Sequence, residues 1–275
     1  MVPGWLRRTV SAAACALLVV APSAAAGRSS HAVNVQIKAS GPPWMIAGNH
    51  VRITGTVTPH PSGLEVNLQQ RHGTGWITVG NTKGVDTAGA FSFITTASKL
   101  GDNSFRVVTT KGTNFVGASA GVPIRVLHWM DFMSVPQFAN AVPDPGDGDF
   151  NNGPMVSDGV HYTDSVTLDP GCYNQWAGNA WIDYLLYKKY EAFTATVGIA
   201  DGVPEGSTAT YSMIGAGKKL ASGSLTLGMK QKINVSLDGV YRLRFEINVP
   251  DPNDSAGCAS TFPQVVFGNP RVLGP

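Results

Sequence analysis

Between residues 162 and 181 the sequence gathers flat rings and amides: Tyr162, Tyr173, Asn174, Gln175, Trp176, Asn179 and Trp181. A sugar ring presents apolar C–H patches between hydroxyls, and aromatic faces rimmed by polar groups match both. Trp176 is the sharpest candidate for such contact. It lies in Cys172-Tyr173-Asn174-Gln175-Trp176-Ala177-Gly178-Asn179, a stretch that a disulfide would tie down. A constrained loop loses less entropy when a ligand binds. Tyr173, Tyr162 and Trp181 are the supporting candidates, although Tyr162 and Trp181 also suit packed positions in strands.

Other chemistry is sparse. Glycoside hydrolysis needs two carboxylates about 5–9.5 Å apart on either side of a bond. The chain has four glutamates, and Glu65, Glu191 and Glu246 occupy polar positions of alternating runs, where a solvated face explains them. Glu205 sits in a Pro-Glu-Gly turn. Gly117-Ala118-Ser119-Ala120-Gly121 spells the G-x-S-x-G nucleophile motif, but Pro123 and a strand pattern follow it where a helix is required. Asp147-Gly148-Asp149-Phe150-Asn151 begins like a calcium loop. Its sixth position is Asn152 instead of Gly and its twelfth is Asp158 instead of Glu, so we expect a polar loop and no metal. The six histidines are scattered without ligand spacing, and no cofactor fingerprint is present.

The elements that must position these residues are strands. Charged residues make up 14% of the chain, against the usual quarter, while 32 glycines and 18 prolines demand many turns. That excludes coiled coil and a mainly helical protein. The formal charge of +2 excludes a dedicated nucleic-acid binder, which needs a strong basic excess. Arg7-Arg8, the apolar run Val10 to Ala21, Pro22 and Ala24-Ala25-Ala26 read as an export signal over residues 1–26. The run is too short to span a bilayer, so no membrane insertion is expected. Cys15 would leave with the signal. Arg7 and Arg8 would leave too, so the exported chain is formally neutral. Cys172 and Cys258 then remain as an even pair in an oxidising compartment, which reads as a disulfide.

Period-two alternation dominates residues 32–127. Val33-Val35-Ile37, Val51-Ile53-Val57, Leu64-Val66-Leu68, Trp76 to Val79, Phe91-Phe93, Phe105-Val107 and Val122 to Val126 are about seven short strands separated by Gly, Pro, Asn or Asp. Trp76 is expected in the packing of that sandwich. Ala47-Gly48 before Val51-Arg52-Ile53-Thr54-Gly55-Thr56-Val57, then Gly75-Trp76 and Gly89-Ala90-Phe91-Ser92-Phe93, resembles bacterial immunoglobulin-like repeats. Residues 128–160 read as a partly irregular lead-in. Beyond them, strand patterns recur at 161–168, 181–187, 190–199, 207–214, 218–227, 230–238, 240–249 and 264–272. About eight strands in that space fit a jelly roll.

This second half resembles the NPCBM family of modules found attached to secreted glycoside hydrolases. The resemblance rests on Ser157-Asp158-Gly159-Val160-His161-Tyr162, on Tyr190-Glu191-Ala192-Phe193 running into Val197-Gly198 and Asp201, on Val235 to Leu243, and on Val266-Phe267-Gly268-Asn269-Pro270-Arg271-Val272. It implies a jelly-roll, galactose-binding-like β-sandwich over residues 128–275 and a glycan or polysaccharide partner. The fold class is therefore all-β: an immunoglobulin-like sandwich followed by a jelly roll. The reading that follows is a secreted, extracellular, non-catalytic carbohydrate-binding protein with a spacer domain. A surface or matrix protein-interaction (adhesin-like) protein and an unrecognised glycoside hydrolase are the alternatives. A neutral, aromatic-bearing surface suits an uncharged sugar better than a polyanion.

Overall fold

Leu243, Phe245 and Ile247 alternate with Arg242, Arg244, Glu246 and Asn248, and the alternation is realised as a strand, Arg242–Asn248, buried on one face only. The same rule builds the rest of the molecule. The computed structural model describes residues 30–96, 98–110, 114–141, 150–170, 179–249 and 263–275. The expected export signal lies outside these residues, as do Asp147, Asp149, Cys172, Tyr173, Trp176 and Cys258. Among the described residues, strands joined by turns account for the architecture, and the helix seen is one 3-10 turn at Phe132–Ser134. No helix among them is long and apolar enough to cross a membrane.

The first sandwich packs a three-stranded sheet, Asn34–Ala39, His50–Thr58 and Ala90–Thr96, against strands that include Glu65–His72, Gly101–Thr109 and the first part of Val122–Asp131. Ile53, Val57, Val66, Leu68, Phe105 and Val126 fill the space between them. Trp76 is not among these core residues. It is half-buried beneath the Arg106 guanidinium, 4.4 Å from the ring centre, which corrects the expectation that it packs inside.

The second sandwich has two antiparallel layers. One is a five-stranded sheet with the spatial order Gln137–Ala141, Asn179–Leu185, Arg242–Asn248, Thr208–Gly215 and Lys218–Thr226. The other runs Phe150–Asn152, Ser165–Leu168, Val265–Gly274, Ala192–Ile199 and Lys230–Ser236. Between the layers Phe132, Tyr184, Phe193, Phe245 and Phe267 meet edge to face, with centroids 4.5–5.7 Å apart. That arrangement sets positive ring edges against negative ring faces. The jelly-roll reading is realised, and the strand patterns read from 161 onward fall within a few residues of the observed strands.

One strand serves both sandwiches. Val122 to Val126 of the ten-residue strand Val122–Asp131 pairs with Gly101–Phe105, and His128 to Asp131 pairs with Arg271–Gly274. Beside this crossing, Arg125 Nη1 donates to Glu191 Oε1 at 3.3 Å. Glu191, read from sequence as a solvated carboxylate, is thus mostly covered and joins the first half of the strand to the second sandwich.

The aromatic cluster carries one cost. The Tyr184 hydroxyl is buried with no hydrogen-bond partner, and burial pushes its pKa up. Tyr184→Phe removes that polar atom without changing the ring, so stability in urea should be unchanged or higher. Phe132→Ala should lose about 3–5 kcal/mol in the same denaturation series. A Tyr184→Phe loss above about 1 kcal/mol would show that the hydroxyl is satisfied after all.

Candidate functional site

The outward face of the five-stranded sheet carries the polar members of each alternating strand. Register brings them into rows. Asn179, Asn248, Thr210 and Ser224 stand in one row. Trp181, Glu246, Ser212 and Ser222 form the next. Asp183, Arg244, Ile214 and Lys219 form the third.

Asp183 organises this face. It is fully buried although it points away from the apolar core. Arg244 Nε donates to its Oδ1 and Arg244 Nη2 to its Oδ2, both at 3.0 Å, a bidentate fork. Arg242 Nη2 donates to the same Oδ2. Burial by itself would raise the carboxyl's pKa, but the hydrogen bonds and charges of Arg244 and Arg242 hold it below the usual value. The Arg244 pKa is raised by the same bond to Asp183.

With its fork committed to Asp183, the Arg244 guanidinium lies 3.8 Å over the Trp181 ring and also donates from Nη1 to Glu246 Oε1 at 3.4 Å. Ser212 Oγ donates to Glu246 Oε2, again at 3.4 Å. Asn248 Nδ2 donates to Asn179 Oδ1 at 2.6 Å. Trp181, Glu246, Ser212, Asn248 and Asn179 line a concavity of about 630 Å³, which extends to Thr210, Lys219, Ser222 and Ser224. Tyr211, on the same sheet but turned toward the core, also contributes to it, its hydroxyl donating to Gln231 Oε1 at 3.0 Å. Gly223 permits that approach, since a Cβ there would lie 2.8 Å from the Tyr211 ring. Hydroxyls, amides, one carboxylate and one indole around a shallow hollow are groups that exchange hydrogen bonds with a polyhydroxylated ligand.

The sequence-derived candidates separate here. Trp181 lies in the hollow. Tyr162 does not: it is 5% exposed, and its ring packs where a Cβ on Gly268 would come within 2.3 Å. It belongs to a small cluster with Ala200 and Val266 and presents no face to a ligand. Trp176 and Tyr173 lie outside the described residues, three and six positions before Asn179 at the rim. Arg244, Glu246, Asn248 and Ser212 escaped the sequence reading. Their alternation was visible, but the register that sets them beside Trp181 was not. Ser119 is 8% exposed, accepts from the Val107 N–H at 2.9 Å and donates to the Ala120 carbonyl, so its hydroxyl links strands. Among the described residues no three His, Cys, Asp or Glu side chains converge as metal ligands.

Residues 174–261 match the NPCBM/NEW2 domain family. The C-terminal sandwich resembles this domain. The match takes in Trp181, Asp183, Arg244, Glu246 and Asn248 together. No curated protein matches the chain. Among solved structures, it is similar to the CBM51 of Clostridium perfringens GH95 in complex with methyl-galactose, with 14% identity, 52% of this chain and 99% of that chain covered, and a TM-score of 0.36. It is also similar to the CBM51-2 and INT domains of Clostridium perfringens ZmpB, with 11% identity and a TM-score of 0.39. That likeness covers 64% of this chain, which spans 38% of the length of the ZmpB structure.

The ion-pair geometry of the NPCBM-like sandwich yields a signed prediction. Asp183 titrates lower in the folded chain than in the unfolded one. Its contribution is therefore complete above the unfolded value, about pH 4, and fades as pH falls through the folded value. Asp183→Asn leaves two arginines without their buried counter-charge and should cost about 3 kcal/mol at neutral pH. Urea denaturation at several pH values should show the gap between wild type and variant narrowing below about pH 4. A pH-independent gap would assign the loss to packing instead.

Proposed function

We propose that the chain is a secreted, non-catalytic carbohydrate-binding protein. Residues 1–26 act as the export signal, residues 32–127 as an immunoglobulin-like spacer, and residues 128–275 as the binding module. One observation carries the reading: within the segment matching the NPCBM/NEW2 domain, Trp181, Glu246, Ser212, Asn179 and Asn248 converge on one hollow. Trp181 supplies an apolar ring edge, and the amides and hydroxyls exchange hydrogen bonds with sugar hydroxyls.

The non-catalytic part is supported by the carboxylate inventory. Among the described residues the hollow is lined by a single acid, Glu246. A glycosidase needs a pair. Asp183 is sealed by two arginines, and Glu191 is bound to Arg125 at the junction of the sandwiches.

Trp176 and Tyr173 extend the site from the segment between Leu168 and Asn179. Cys172–Cys258 is proposed as the bridge that holds that segment. Support comes from its flanks. Leu168 pairs with Val265 and Asn179 with Asn248, so both segments leave the sandwich at one end. Gln264 Nε2 also donates to Asp169 Oδ2 at 2.7 Å across that end. Peptide mapping without reductant should recover the two cysteines in one linked fragment.

The test is binding to a panel of neutral and acidic polysaccharides by affinity electrophoresis and calorimetry. The wild type should bind at least one member. Trp181→Ala should weaken that binding about tenfold, equivalent to roughly 1.4 kcal/mol. Trp176→Ala should weaken it as well. A folded wild type that binds no member would reject the reading, and release of reducing sugar would reject its non-catalytic part.

A further inference from the structure

The same sheet face carries a second hollow at the opposite end of Arg242–Asn248, about 520 Å³ in volume, which shares Glu246 with the first. Two tyrosines stand at its edge. Tyr187 and Tyr241 are each 49% exposed, with ring centres 5.3 Å apart and nearly perpendicular planes. Side by side, the two rings form a contiguous exposed aromatic patch instead of scattered surface residues, and such patches mark interaction sites.

Their placement is held by the backbone. Tyr187 and Lys188 are consecutive non-glycine residues in the left-handed region, with φ of 52° and 57°. That conformation is disfavoured for side chains of their size and survives only where neighbours enforce it. Here the Leu186 and Tyr187 N–H groups both donate to the Tyr241 carbonyl, at 2.8 and 3.1 Å, and the Lys188 N–H donates to the Val240 carbonyl at 3.1 Å. The turn is thus clamped to the segment that leads into Arg242–Asn248, and the tyrosine pair with it.

Charge around this hollow is uneven, although the exported chain as read from sequence is neutral. Lys188, Arg242 and Arg244 line it, and the Lys189 ammonium lies 5.6 Å from the centre of the Tyr187 ring. Lys218 opens the neighbouring strand next to the Gly215–Gly217 turn that forms one wall, while Lys219 after it lines the first hollow. The acids lining the hollow are Asp183 and Glu246. Asp183 is already matched by two guanidinium groups, and Glu246 is engaged by Arg244 and Ser212. The local balance is positive.

We infer that this end of the face is a subsite for an acidic sugar, a uronic-acid unit of an oligosaccharide whose neutral neighbours lie over Trp181. The tyrosines supply ring faces for the apolar side of the pyranose, and Lys188 supplies the countercharge for its carboxylate. The inference rests on the carbohydrate-binding reading above and adds to it a ligand class and a direction along the strand. It also replaces the expectation of a purely uncharged sugar.

The test uses the full exported chain, an oligouronate and the same oligosaccharide with its carboxyls reduced to alcohols. At low ionic strength the oligouronate should bind about tenfold more tightly than its reduced form, and added salt should erase the difference. Lys188→Gln should remove most of the preference for the oligouronate. Tyr241→Ala should weaken both ligands about fivefold. Both residues are exposed, and a melting curve for each variant checks that it folds. Equal affinity for the two ligands would overturn the subsite, as would a preference that survives Lys188→Gln. Those outcomes leave the carbohydrate reading standing if a neutral glycan still binds through Trp181. Absence of binding to every neutral and acidic glycan overturns both.

Discussion

A carboxylate buried on the solvent side of a sheet has to be neutralised, and much of the second sandwich's outer face follows from how Asp183 meets that demand. Two strand positions on the neighbouring strand must be arginines with enough reach to fork onto it. Once Arg244 is committed to Asp183, its guanidinium plane is fixed over Trp181, and its remaining donor is aimed at Glu246. Glu246 then orients Ser212. A cascade of this kind narrows the rotamers of four side chains without any apolar packing above them. That is how a flat sheet surface acquires a defined shape.

The strand Val122–Asp131 imposes a second constraint. Its first half is a ladder member of one sandwich and its second half of the other. Rotation of one sandwich against the other would have to break backbone hydrogen bonds or bend the strand between Val126 and His128. Arg125 and Glu191 reinforce the same place from the side. The connection therefore behaves as a strut, and the sheet face with its two hollows is held at a set orientation to the first sandwich.

Legibility followed the range of the information. The strands of both halves were readable because alternation is local, and Asp238-Gly239 marked the turn before Arg242–Asn248. What depended on register was not. Trp181 could be named from its type, but Glu246 and Arg244, more than sixty residues away, become its neighbours only through pairing. Tyr162 failed for a related reason: its type suits a ligand platform, but Gly268 on another strand leaves a slot that its ring fills. Glu191 looked solvated because its partner lies 66 positions away in the first half. Trp76 failed by facing: the pleat turned it outward under Arg106.

The strand Val265–Gly274 is flanked on one side by Ala192–Ile199 and on the other by Ser165–Leu168 and then by the end of the shared strand. It is the spine of its layer, and it follows all three of those neighbours in chain order. Until it exists, its three neighbours have open edges, and half of the shared strand has no ladder. A growing chain can complete the first sandwich but cannot close the second. The second sandwich is thus obliged to wait for its final ten residues.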